Sequence, residues 1–144
     1  MERRDFLKTS CLVCLGTHAA ITAGLLSGCS SVAVYRTSVT ENQITIPKSL
    51  FAEGDVRLIH ANNLEYQVAL RKHGDRYTAL LLRCTHAENP VTSAGNGFTC
   101  SLHGSTFDTN GAVTRGPASL PLEQLTTVEY PDKIVIHLSQ PLSP

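Results

Sequence analysis

The chain has 144 residues, with 12 basic and 12 acidic side chains, six histidines and five cysteines. That length suits one ordinary domain, and 42% hydrophobic with 17% charged residues excludes a disordered or collagen-like polymer. A formal net charge of zero gives no basic face for phosphates, which argues against a nucleic-acid binder, and the lack of a run of 20 strongly apolar residues excludes a polytopic membrane protein.

The first segment reads as an address. A charged start, Met1 to Lys8, precedes a mildly apolar stretch from Cys11 to Leu26 and then Ser27-Gly28-Cys29. A positive region, an apolar region and a small-residue cleavage site together describe an export signal. Arg3-Arg4-x-Phe6-Leu7-Lys8 resembles the twin-arginine export motif, departing at Glu2, where that family prefers Ser or Thr. Leu26-Ser27-Gly28-Cys29 resembles a bacterial lipobox, which implies lipidation of Cys29 and a membrane anchor without a span. An uncleaved signal acting as a membrane helix is the rival reading. The expected organisation is a signal at 1–28, a lipidated tether at 29–42, a folded domain at 43–139 and a tail at 140–144. Cys11-x-x-Cys14 lies inside the apolar stretch, where no folded site would form around it.

Beyond residue 43 the chain reads as short strands and turns. Gln43–Ile46 stops at Pro47, and Val56–Ile59 follows Gly54-Asp55. Glu65–Leu70 and Tyr77–Leu82 flank His73-Gly74-Asp75 as the two arms of a hairpin. Gly97–Thr99 leads into Cys100, and Ala112–Thr114 follows the Asn110-Gly111 turn. Thr127–Tyr130 and Lys133–Leu138 bracket Pro131-Asp132 as another hairpin, with one helical turn expected at Leu120–Leu125. The fold class is therefore all-β, a small antiparallel sandwich or barrel.

Two corners hold the chemistry. Cys84-Thr85-His86 offers a thiol and an imidazole, and Cys100-Ser101-Leu102-His103-Gly104-Ser105 offers another of each. With the signal removed, these are the only two cysteines of the domain. One disulfide or one Cys2His2 zinc site would use some or all of these residues. Zinc motifs usually pair like ligands at C-x2–4-C spacing, whereas each corner here mixes the two types.

The stretch from Cys84 to Ala118, including Gly104-Ser105-x-Phe107-Asp108 and Gly116-Pro117-Ala118, resembles the Rieske [2Fe–2S] family. The resemblance implies a cluster-binding part at 83–118 of a Rieske-type domain, with Cys84 and Cys100 on one iron. His86 and His103 would hold the other iron. It further implies that Ser105 donates toward a bridging sulfide and that Pro117 forms a lid over the cluster. Phe107 takes the place of a tyrosine that donates to a cysteine sulfur in high-potential members. The disulfide of those members would need cysteines where Asn89 and Leu102 stand, and Ala87-Glu88 replaces a frequent Leu-Gly. A reduction potential below that of the disulfide-bearing quinol-oxidising members is expected.

The function implied is one-electron transfer between redox partner proteins by an exported, membrane-tethered protein on the periplasmic or cell-surface side. The alternative is the Rieske electron-transfer subunit of a larger oxidoreductase. In either case the chain is not expected to be an enzyme by itself. It is too short to hold the mononuclear-iron catalytic domain of Rieske oxygenases. His60, His73 and His137 have no ligand partners in the pattern, and Glu88 and Asp108 read as loop charges.

Overall fold

The computed structural model describes residues 32–139. The expected signal, Cys29 and the tail 140–144 lie outside the described residues. Eleven strands follow in chain order: β1 Val34–Thr37, β2 Gln43–Pro47, β3 Val56–Ala61, β4 Val68–His73, β5 Arg76–Leu81, β6 Thr92–Ala94, β7 Gly97–Thr99, β8 Thr106–Asp108, β9 Val113–Arg115, β10 Gln124–Glu129 and β11 Lys133–His137. Seven of them form a barrel-like sheet in the order β1-β3-β4-β5-β10-β11-β2, and β6 to β9 form a separate meander. β10 turns the corner of the large sheet. Its Gln124 and Leu125 pair with β5, while Thr126–Glu129 pair with β11.

The expected all-β class and most of its hairpins hold, with informative departures. Val34–Thr37, assigned to the tether from sequence, is a strand running parallel to β3. Its short mixed pattern buries no complete face, so periodicity alone did not reveal it. The helical turn expected at Leu120–Leu125 does not form. Pro121 has no amide to donate to a helix, and Leu122 and Leu125 are drawn into two different cores. Lys48–Glu53 instead forms a 3-10 turn that buries Phe51 edge-on against Tyr77, with ring centroids 5.0 Å apart.

The double-sided burial of β3, β4 and β5 explains their near-continuous apolar runs. Side chains alternate across a strand, so one set faces the barrel interior and the next faces outward. Ile59, Val68, Leu70, Ala79 and Leu81 pack inward with Ile44, Ile46, Ile134 and Ile136. Leu58, Ala69, Leu80 and Leu82 face the other way, under the small meander, where they meet Val91, Phe98, Phe107, Ala118 and Leu122. Cys84 and Cys100 belong to this second core. The small sheet is thus docked on the large one by apolar burial, and the two chemical corners emerge from that seam.

Candidate functional site

The two corners are built on one plan. The amide of Cys84 donates to the carbonyl of Asn89 at 2.8 Å, and the carbonyl of Cys84 accepts from the amide of Glu88 at 2.8 Å. Cys100 repeats this with Ser105, at 2.9 Å, and with Gly104, at 3.0 Å. Each loop therefore closes on its own cysteine. The closing residue has positive φ in both: 55° at Glu88 and 76° at Gly104. Glycine adopts that conformation freely, whereas an L side chain there costs about 1–2 kcal/mol.

This geometry sorts the four donors by depth. Cys84 and Cys100 are each 1% exposed, while His86 and His103 lie at the surface. The two imidazoles meet edge to face with centroids 4.9 Å apart, although 13 residues (87 to 99) separate His86 from Cys100. Both cysteines are free thiols, so no disulfide joins them. Burial pushes the Cys84 thiol up, but the His86 amide, the Cys100 thiol, the Ala87 amide and the Ser105 hydroxyl more than reverse this. Its net position is below the ordinary thiol value of 9.0. A thiol held toward its anion by surrounding donors is suited to bind a metal.

Among the described residues, no three His, Cys, Asp or Glu side chains gather around a single ion position. The donors divide instead into an inner sulfur pair and an outer imidazole pair. One tetrahedral zinc needs four ligands about one point, whereas a [2Fe–2S] group with mixed ligands needs two at each of two irons. The residues present fit the latter.

The other expected site residues fall close by. Ser105 is fully buried, and its hydroxyl oxygen accepts the Ala118 amide at 3.0 Å. Phe107 is 2% exposed in the core shared with both cysteines. Pro117 is exposed, while Ala118 behind it is buried. Asn89, at one of the two positions that carry the family's disulfide, turns its side-chain amide onto the Ala87 carbonyl at 2.9 Å. Leu102, at the other position, is 59% exposed beside His103.

Sequence reasoning missed the residues that hold the first loop from outside. Tyr66 donates its hydroxyl to the Glu88 carbonyl at 2.7 Å. Thr85 donates to the Leu120 carbonyl at 2.6 Å. Arg83 pairs with Glu123 at 3.0 Å and with Glu88 at 3.3 Å. Only the glutamate at position 88, where the family often has glycine, could have signalled that this loop needs outside support.

Comparison with known proteins bears on the domain as a whole. A family model of the Rieske [2Fe-2S] domain matches residues 39–128, more than half of the chain. Cytochrome b6-f complex iron-sulfur subunits are similar over 55 residues, at 47% identity in Prochlorococcus marinus strain AS9601 and 46% in Nostoc punctiforme. Those matches cover 37% of this chain but only 30% and 31% of the relatives. Among solved structures, the plasma membrane Rieske protein PetC3 of Synechocystis PCC 6803 aligns at 25% identity over 50% of this chain and 77% of its own, with a TM-score of 0.44. The ferredoxin of carbazole 1,9a-dioxygenase from Nocardioides aromaticivorans IC177 aligns at 22% identity over 72% of this chain and 99% of its own, also at 0.44. With its paired loops and a family match that spans them, the chain belongs to the Rieske [2Fe-2S] domain family, whose cluster serves electron transfer.

Proposed function

We propose that Cys84, Cys100, His86 and His103 are the cluster ligands, and that the protein is an exported, membrane-tethered electron carrier. The carrying observation is the depth-sorted donor set: two buried thiols beneath two surface imidazoles 4.9 Å apart. When bound, a [2Fe–2S] cluster supplies a one-electron redox couple. The chain's own residues then set its conditions. The buried thiols hold one end away from water, and the surface imidazoles bring the other end to where a partner protein can approach. Neutral imidazoles in place of two thiolates leave the donor set two charges less negative. That favours acceptance of an electron and puts such centres at about −150 to +300 mV, against about −400 mV for plant-type ferredoxins.

Two features support a potential below that of the disulfide-bearing quinol-oxidising members. Phe107 has no hydroxyl to offer a sulfur, and Asn89 and Leu102 cannot form the disulfide of the high-potential members. Hydrogen bonds to sulfur stabilise the more negative reduced state, so the missing one lowers the potential. With a cluster bound, Ser105 would donate toward its sulfur, and the Pro117 segment, joined to Ser105 through Ala118, would form the lid.

Export and tethering rest on Arg3-Arg4-x-Phe6-Leu7-Lys8 and on Leu26 to Cys29. Mass spectrometry of the mature N-terminus tests this part: a diacylglyceryl-modified Cys29 is expected, and an intact Met1 would refute lipidation. Iron and acid-labile sulfide analysis tests the ligand assignment, with two of each per chain expected. Zinc in their place would refute it.

A second reading, a subunit of a larger redox complex, is favoured by the similarity to iron-sulfur subunits of the cytochrome b6-f complex. Purification from detergent-solubilised membranes separates the two, because a subunit brings stoichiometric companions and a carrier does not.

A further inference from the structure

The first ligand loop needs a left-handed residue at its closing position, and this chain puts Glu88 there. The equivalent place in the second loop is filled by Gly104. An L side chain at positive φ persists only where surrounding contacts hold it. Its own carboxylate is a poor holder: Glu88 pairs with Arg83 at 3.3 Å, but that carboxylate is 75% exposed, and exposed ion pairs contribute little. Its amide is committed to closing the loop on Cys84. Its carbonyl is left, and this is the group that Tyr66 reaches at 2.7 Å.

Tyr66 is well placed to act as a fixed point. It stands in the connection between β3 and β4, and its ring packs against the interior core of the large sheet. The hydroxyl therefore links that core to the ligand loop, which emerges from the other core. Burial, with the Glu65 and Glu88 carboxylates nearby, holds the phenol above its ordinary value of 10.0, and even at that ordinary value it is a protonated donor at neutral pH.

We propose that Tyr66 is a positioning residue that latches Glu88 in its left-handed conformation. It thereby sets the first ligand loop, and with it His86, without the disulfide found elsewhere in the family. This inference rests on the cluster assignment above. It goes further in stating that the need for the latch comes from the side chain at position 88. If so, removing that side chain removes the need.

The test is a double-mutant cycle on the holoprotein, read by the rate of cluster loss in the visible spectrum and by the EPR line width of the reduced state. Tyr66→Phe should speed cluster loss about fivefold, the loss of one net hydrogen bond, and should broaden the EPR lines. In the Glu88→Gly background the same substitution should change the rate less than twofold and leave the lines sharp. Thr127→Val removes a comparable hydroxyl-to-carbonyl bond, to Tyr77 at 3.1 Å, near the start of β5 and so at its opposite end from the first loop. It should leave the rate and the lines as in wild type. Equal effects of Tyr66→Phe in both backgrounds, or none in either, would overturn the latch. Failure of the cluster assignment is a different result: the wild-type protein itself would then carry no iron–sulfur signal.

Discussion

Ser105 accepts the amide of Ala118 at 3.0 Å, and this bond joins the second ligand loop to the segment that follows Pro117. Both partners are buried, Ser105 completely and Ala118 to 5% exposure. Accepting through oxygen leaves the hydroxyl proton free, and a hydrogen bond from Ser105 is one of the interactions that hold the Cys84 thiol below its ordinary value. One side chain thus holds the segment after Pro117 and helps to lower the Cys84 thiol.

Ser105→Ala should therefore have two separable effects. It strands the buried Ala118 amide, which costs about 1–3 kcal/mol in chemical denaturation. It also removes a donor to sulfur, which lowers the midpoint potential. Voltammetry and urea melts of the same preparation check both, and an unchanged potential would show that the hydroxyl does not serve the cluster.

Phe107→Tyr places a hydroxyl in the core that contains both cysteines. A hydrogen bond to sulfur of about 1 kcal/mol corresponds to a rise on the order of 40 mV for a one-electron couple. The expected outcome is a higher midpoint in protein-film voltammetry. A potential that falls or stays fixed would mean that the new hydroxyl finds no sulfur.

Gly97→Ala should disrupt the small sheet. Gly97 pairs with Asp108 on β8, and an added Cβ would overlap the carbonyl oxygen of Phe107. Relief requires backbone movement between β7 and β8, costing about 1–3 kcal/mol, with Phe107 and Cys100 displaced in consequence. Lower stability together with faster cluster loss is expected, and a wild-type melting curve would count against the tight approach.

The pH dependence of the cluster-free protein follows from Cys84. Its folded thiol lies below the ordinary 9.0, so folding is linked to the thiolate. This stabilisation is fully present above the unfolded value and is lost as pH falls through the folded value. Thiolate absorbance of the apo domain should therefore rise at lower pH than in the unfolded chain. Coincident titrations would remove the link.

Much of the proposed site was legible in the sequence because its candidate ligands come as two short local motifs. Cys84 with His86 and Cys100 with His103 are each set by a few residues, and the hairpins at His73-Gly74-Asp75 and Pro131-Asp132 carry their own turn signals. The supports were not legible. Tyr66 reaches Glu88 across 22 residues and Thr85 reaches Leu120 across 35, and such bonds exist only once two sheets have docked. The strand at Val34–Thr37 escaped for a related reason, since pairing with β3, rather than any apolar alternation of its own, makes it a strand. Leu120–Leu125 misled in the opposite direction. It read as one helical turn, but Leu122 and Leu125 answer to separate cores.

The ligand assignment is tested most directly by EPR of the reduced protein, recorded for wild type and for His103→Cys. Two sulfur and two imidazole donors predict a mixed-ligand signal in wild type that shifts toward that of an all-thiolate centre in the variant, with a lower midpoint potential. Identical spectra from the two proteins would contradict the account, because His103 would then lie outside the coordination of the iron.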